Sequence, residues 1–349
     1  MKVGIIGLSK AGKTTVFNAI TGASAQTGTY GVQKANLAVI KVPDNRIEYL
    51  AGIFRPKKTT FAEIAFVDVP SEGNGQSGSL GGTQVIDSIK GVDTLAVVVR
   101  AFIDEAAHAN GAPDPLAEFQ QVESELIVLD LIVLEKKLER LEKERKRGTE
   151  YELIKNCKEW LDAERPLRLL KLDAAEAKML SGFQLLSLKP LLVLANTGDA
   201  MSADIAGLKG YAEEHDIPVI DFCGAIEMEI AAMDSAEQAE FLEGLGIAEP
   251  ARSKFIRAAY TLSDLISFLT IGEDEVRAWT TKKGALAPQA GGKIHSDIER
   301  GFIRAEVVSF EDFSEHGSLA RARDAGKVRL EGKQYVVNDG DIINFRFNV

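Results

Sequence analysis

Gly7-Leu8-Ser9-Lys10-Ala11-Gly12-Lys13-Thr14 is the stretch on which the reading of this chain turns. It matches G-x-x-x-x-G-K-[ST], the phosphate-binding P-loop. Lys2 to Ile6 (KVGII) reads as a short apolar strand before it, and Lys13 to Thr21 (KTTVFNAIT) as the helix after it. Gly7 and Gly12 remove side chains where the backbone must turn tightly and approach an anion. The loop amides and the helix N-terminus then aim partial positive charge at phosphate. Ser9, Lys10, Ala11, Gly12 and Thr15 belong to this cradle, Lys13 reaches for the β- and γ-phosphates, and the Thr14 hydroxyl ligates Mg²⁺. A chance glycine turn would need the complete motif and both flanks to coincide.

The chain has 349 residues, enough for two or three domains. Hydrophobic residues make up 45% and charged residues 27%, the balance of a soluble globular protein with ample core. A net charge of −11 excludes indiscriminate binding to nucleic acid or anionic membrane while allowing a local basic patch. The only cysteines, Cys157 and Cys223, are far apart and have no metal-ligand spacing. No apolar run approaches the roughly 20 residues that span a bilayer, and the N-terminus lacks the layout of a signal peptide. A cytoplasmic setting is expected.

Downstream of the loop, Gly22 to Val32 has the composition of a first switch loop. Asn36 to Lys41 and Phe61 to Val67 read as strands, with a short helix over Arg46 to Ile53 between them. Asp68 ends the second strand. An acidic residue there is the Walker-B arrangement, which holds Mg²⁺ opposite the P-loop Thr; the plainer alternative is a strand-end turn. Val69 to Thr83, dense in Gly and Ser, reads as a second switch loop or an ordinary surface linker. Asp93 to Arg100 (DTLAVVVR) is a continuous apolar strand, as in a parallel sheet covered on both faces.

The period then changes. Ile127, Leu131, Leu134, Leu138 and Leu141 alternate steps of four and three, a heptad seam. With helical stretches at about Glu150 to Ala163 and after Pro166, this predicts an antiparallel helical hairpin inserted into the nucleotide domain. Glu135 to Arg147 is highly charged: either a solvated face laced with i,i+4 pairs, or a tip that touches RNA or a ribosome. Pro190 to Ala195 resumes the sheet and runs into Asn196-Thr197-Gly198-Asp199, where a purine base would be read. An Asn amide can bond the base edge and an Asp can accept from guanine N–H groups, although the same residues also make plain turns. Pro218 to Phe222 is a further strand leading to Cys223-Gly224-Ala225-Ile226-Glu227, a second loop that could flank the base. From about Leu265, short strand-like segments at 276–281, 302–309, 327–330, 334–337 and 342–347, with one or two helices, predict a small α+β domain.

The carboxyl-terminal part carries a specific likeness. Ala278-Trp279-Thr280, Ala287-Pro288-Gln289-Ala290, Gly292-Lys293-Ile294-His295-Ser296-Asp297, Gly301 to Val307 and Asp339 to Val349 resemble the YchF family, the Obg-like ATPases of the translation-factor class of P-loop NTPases. The P-loop, the inserted coiled coil, Asn196 and Ile226-Glu227 follow that family's order, so the resemblance covers essentially the whole chain. It implies an α/β P-loop NTPase domain with a mostly parallel sheet, an inserted antiparallel coiled coil, and a C-terminal ubiquitin-like β-grasp (TGS) domain associated with RNA or ribosome contact. The corresponding divisions are 1–112 and 189–264 for the nucleotide domain, 113–188 for the helical insertion and 265–349 for the TGS domain. It further implies a slow Mg²⁺-dependent ATPase, a monomer that associates with the ribosome or rRNA through the TGS domain and coiled coil, and no membrane partner.

Three places depart from the family pattern. The second-switch motif D-x-x-G is here Asp68-Val69-Pro70-Ser71, followed by Glu72 where the family has an apolar residue. The missing Gly would give its N–H to the γ-phosphate, and Pro70 stiffens the turn. Glu72 is a candidate water-positioning catalytic residue or a source of repulsion. The switch-one Thr is replaced near Val32, with Thr27 or Thr29 as substitutes. The base tetrad N-x-x-E becomes N-x-x-D at Asp199, closer to the N-K-x-D of GTPases but without its Lys. Two further readings therefore stand beside the slow ATPase: a GTPase of the same fold, on Asp199, and a nucleotide-sensing module with decayed hydrolysis, on Ser71 and Glu72.

Overall fold

The computed structural model describes residues 1–22, 36–68, 80, 83–103, 112–198 and 202–348. From the N-terminus, strand β1 (Lys2–Ile6), helix α1 (Lys13–Thr21), strand β2 (Asn36–Lys41) and helix α2 (Asn45–Phe54) lead to strands β3 (Lys58–Thr60) and β4 (Glu63–Asp68). Helix α3 (Thr83–Lys90) and strand β5 (Thr94–Ala101) precede helices α4 (Pro115–Lys143), α5 (Thr149–Asp162) and α6 (Ala174–Leu180). Strand β6 (Leu191–Thr197), helix α7 (Ala206–Glu214) and strand β7 (Val219–Phe222) are followed by helices α8 (Gly224–Ala232), α9 (Ser235–Gly244) and α10 (Ala251–Leu262). Strands β8 (Leu265–Thr270), β9 (Glu275–Lys282), β10 (Phe302–Ser309), β11 (Arg329–Glu331) and β12 (Asp341–Phe347) alternate with helices α11 (Ala287–Ile294), α12 (Ser296–Arg300), α13 (Phe310–His316) and α14 (Leu319–Asp324).

The chain forms two compact units, residues 1–39 with 65–259 and residues 40–64 with 260–349. The first contains a sheet of order β2-β4-β1-β5-β6-β7. β1 runs parallel to β4 and β5, and β5, β6 and β7 are mutually parallel in turn. β5 is buried on both faces, which is why it reads as an unbroken apolar run rather than an alternating one. Ile6, Val97, Val193, Phe119 and Leu126 join one core, so the first turns of α4 are sewn into the sheet.

α4 starts where Pro115 occupies the first turn and the Asp114 carboxylate accepts from Ala117 N–H. It ends at Lys143, four residues before the charged run does, since Arg145 takes a positive φ of 55°. Its 29 residues span about 43 Å. The heptad residues Ile127, Leu134 and Leu141 are buried against Leu153, Ile154 and Cys157 of α5, in a core separate from that of the sheet. Asp130 fastens this hairpin to the chain entering β6. Its carboxylate accepts from Leu186 N, Ser187 N and Ser187 Oγ at 2.6–2.7 Å.

In the second unit the order is β11-β10-β12-β8-β9-β3. β8 and β9 form an antiparallel hairpin, β12 lies parallel to β8, and α11 packs on β9 and β10. The sequence division placed residues 40–64 with the nucleotide domain; they pack instead with 260–349. The reason is physical: β3 hydrogen-bonds to β9 in parallel register, Tyr49 of α2 meets Phe310 edge-on, Phe54 of α2 stacks on Phe313, and Arg46 pairs with Asp339 at 2.7 Å. One other expectation is corrected: residues 334–337 make only an isolated bridge, Leu286 to Val336. Residues 265–270 form a further strand.

Candidate functional site

The P-loop lies at the carboxyl end of β1, where β4, β5 and β6 also end. This is the end of a parallel sheet at which ligands bind. Gly7 has φ 153°, and a Cβ there would stand 2.2 Å from Val98 O; Gly12 has φ 88°, and its Cβ would stand 2.1 Å from Asn196 Nδ2. Both positions need glycine on two counts, conformation and space. α1 starts at Gly12 with no side-chain cap and no acidic residue in its first turn, unlike the Asp-capped α2 and α4. Its first amides therefore keep their donor capacity and positive field for an anion.

Lys13 is buried, and its ammonium donates to Gly7 O at 2.9 Å and Leu8 O at 2.8 Å. Burial pushes its pKa down to about 8, against the pull of Asp68 and then Glu118. The cation is therefore poorly compensated within the protein, and an anionic ligand would restore it. Thr14 and Thr15 are half-buried at the start of α1, Ser9 and Lys10 are exposed, and Ala11 is buried. Asp68 ends β4, opposite Ile5, with 2% of its surface exposed.

Asn196 is held at both ends of its amide. Nδ2 donates to Ala11 O at 3.0 Å, and Oδ1 accepts from Gly224 N at 3.3 Å. It thus joins the P-loop to the start of α8, where a Cβ at Gly224 would stand 3.1 Å from Thr15 Cγ2. Thr197 follows Asn196, half-buried. The stretch 223–227, read as a loop, turns into α8 at Gly224, and Glu227 points away from any base-reading task. Its carboxylate accepts from Ala251 N at 2.6 Å and Arg252 N at 3.1 Å, capping α10 after Pro250. Asp199, Pro70, Ser71, Glu72, Val32, Thr27 and Thr29 lie outside the described residues, as do the switch stretches that hold the last six except for Gly22, Leu80 and Thr83.

Sequence reasoning missed two features. Phe102, just past β5, lies 3.6 Å from the Cβ position of Gly12 and is half-buried. A lone aromatic at a strand end reads as core; its place beside β1 in the sheet is the signal that it faces the ligand crevice. Glu118 of α4 accepts from Arg100 N at 2.9 Å and pairs with Arg100 Nε at 3.4 Å, so the inserted helix reaches the strand end beside the loop. For a divalent cation, the oxygen donors at hand are the Thr14 hydroxyl and the Asp68 carboxylate. Among the described residues no group of three His, Cys, Asp or Glu could cage a metal alone. One carboxylate and one hydroxyl fit Mg²⁺ shared with phosphate oxygens, which keeps several waters rather than a full protein cage. Among the same residues no helix is long and apolar enough to cross a membrane.

Residues 2–137 match a family described as 50S ribosome-binding GTPase, and residues 265–348 match YchF-GTPase_C, described as a protein of unknown function (DUF933). The ribosome-binding ATPase YchF of Bacillus subtilis is 41% identical over 364 residues, covering all of both chains. That of Escherichia coli O157:H7 is 37% identical over 360 residues, covering all of this chain and 99% of its own. A solved structure of the Schizosaccharomyces pombe YchF GTPase superposes with a TM-score of 0.88 at 30% identity, covering 99% of this chain and 97% of that one. With this likeness running end to end, and with a P-loop, a helical insertion and a β-grasp-like unit in the same order, the chain belongs to the YchF family of P-loop NTPases.

Proposed function

We propose that this chain is a Mg²⁺-dependent switch protein that binds and slowly hydrolyses ATP and acts at the ribosome. The observation that carries the reading is the uncapped α1 N-terminus joined to a loop that tolerates only glycine at positions 7 and 12. The relatives named above as ribosome-binding ATPases support it along the full length. Backbone amides from Ser9 to Thr15 cradle the phosphates, and Lys13 exchanges its two carbonyl partners for β- and γ-phosphate oxygens. Thr14 and Asp68 hold Mg²⁺, which when bound neutralises charge on the phosphates. Phe102 offers an aromatic face to the base. Asn196 fixes the loop and presents its remaining amide capacity to the base edge, with Thr197, Asp199 and Gly224 completing the base side. Catalysis rests on position and charge rather than on a strong base, with Glu72 as the candidate for orienting water.

Ribosomal or rRNA contact is assigned to the 260–349 unit and to the tip of the helical insertion, in a monomer. At that tip Arg140 and Lys146 pair with Glu144 and Lys137 with Glu150, so much of the basic charge is spent locally. A GTPase of the same site is the second reading, favoured by Asp199. Titration of the purified chain with labelled ATP and GTP in Mg²⁺, followed by turnover and ribosome co-sedimentation, tests the proposal. ATP is expected to bind at least as well as GTP, and Lys13→Ala to abolish binding. A tenfold preference for GTP, about 1.4 kcal/mol, would replace ATPase by GTPase; unchanged affinity in Lys13→Ala would remove the site.

A further inference from the structure

Lys10 occupies an unusual place in the loop. Ala11 N–H donates to Leu8 O at 3.3 Å, so Leu8 to Ala11 is a tight turn with Lys10 at its third position. Lys10 has φ 69°, a left-handed conformation that glycine or asparagine adopts at that turn position far more readily than a long side chain does. The loop uses glycine at its other positive-φ positions, Gly7 and Gly12. A lysine at the third one loosens the turn and brings only one thing that glycine lacks, a flexible cation. That cation is exposed and makes no ion pair or hydrogen bond with any described residue. Of the neighbouring cations, Arg100 is paired with Glu118, and Lys13, which holds Gly7 O and Leu8 O here, already has the β- and γ-phosphate oxygens as its task.

Phosphoryl transfer asks for such a cation. As an attacking water oxygen bonds to the γ-phosphorus, the bond to the β–γ bridging oxygen breaks and its electron pair stays on the β-phosphate. Both water protons leave with inorganic phosphate, which passes one on to solvent according to the pH. Negative charge grows on the bridging oxygen, and a positive side chain there lowers the barrier more than it strengthens ground-state binding. We propose that Lys10 is a catalytic residue: a second cation of the phosphate loop, whose ammonium contacts the β–γ bridging and γ oxygens of the triphosphate as the bond breaks. The chain thereby carries its own charge-stabilising side chain. This rests on the reading of the loop as a hydrolytic site.

The test uses the full chain with Mg-ATP and compares Lys10→Gly, which suits the backbone but removes the charge, with Lys10→Arg, which keeps the charge. Lys10→Gly should lower kcat at least tenfold while its affinity for ADP changes less than threefold. Lys10→Arg should keep most of the turnover, and added ammonium chloride should raise kcat of Lys10→Gly but not that of the unaltered chain. Wild-type kcat in Lys10→Gly overturns the assignment. So does a fall that neither Lys10→Arg nor ammonium reverses, which marks a backbone effect, and so does an equal loss of ADP and ATP affinity at constant kcat, which marks simple attraction. Failure of the unaltered chain to bind either ATP or GTP sinks the nucleotide-site reading itself, and this one with it; binding without hydrolysis of either overturns this assignment alone.

Discussion

Asn196 shows how a motif residue can carry two tasks. Read as sequence, it belongs to a tetrad that recognises a base. In the structure its amide first does something else: it grips Ala11 O on one side and Gly224 N on the other. The residue is 5% exposed, so both bonds are made in a setting where losing either leaves a backbone group without a partner. The two tasks separate experimentally with inorganic tripolyphosphate, which has the phosphates and no base. If Asn196 served the base alone, Asn196→Ala would weaken ATP binding and leave tripolyphosphate binding untouched. With Ala11 in the proposed phosphate cradle, we expect both affinities to fall, each by roughly 5- to 30-fold, the loss of one buried hydrogen bond of about 1–2 kcal/mol. Competition of either compound against a fluorescent nucleotide measures it, and unchanged tripolyphosphate affinity would return Asn196 to a base-reading role only.

At the scale of elements, legibility followed from how much of an element's reason lies within its own residues. β5 and α4 were readable because their burial is written in their periods: an unbroken apolar run for one, a heptad seam for the other. The start of α10 was not, because what stabilises it comes from a distant residue. α10 follows Pro250, which has no side-chain acceptor for the first amides of a helix; Glu227, more than twenty positions upstream, supplies it. Nothing local could have announced that, just as nothing local marked Phe102 as facing the loop. Glu227→Ala should cost about 1–2 kcal/mol, as for other helix caps. A pH dependence comes with it. Burial raises the Glu227 pKa, outweighing the two backbone donors that lower it. The folded chain therefore holds this proton to higher pH than the unfolded chain does. Its contribution to stability is full below the unfolded carboxyl range and is lost as pH rises through the folded value. Glu227→Gln cannot titrate, so its penalty in urea unfolding should be larger near pH 4.5 than at pH 7. An equal penalty at both would mean that Glu227 is not buried in solution.

For the whole molecule, the departure from sequence expectation is the path of residues 40–64. They leave the nucleotide-binding unit after β2, join the 260–349 unit, and return through β4. β3 is only Lys58-Thr59-Thr60, too short and polar to signal a sheet, and its partner β9 lies more than two hundred positions away. The amphipathic α2 was legible as a helix; its destination was not. Yet this excursion is well anchored. Ile47 and Leu50 are fully buried, α2 packs on β9, and Arg46 bridges Asp44 at 2.8 Å and Asp339 at 2.7 Å. Asp339 in turn accepts from Ser267 N, so the turn before β12 is held from both sides. Burying two aliphatic side chains is worth about 1.5–3 kcal/mol each as an upper estimate. Residues 260–349 produced alone should therefore be less stable by about 3 kcal/mol, and by no more than about 6, than the same residues with 40–64 joined to them through a flexible linker. For a unit of this size that is a melting difference on the order of 10–20 °C. Placing Arg46→Ala in the joined form should lose part of that gain, since both Asp44 and Asp339 lose their partner. Calorimetry of the three proteins decides the matter. Equal melting of the isolated and joined forms would show that 260–349 is self-sufficient and that residues 40–64 only lie against it.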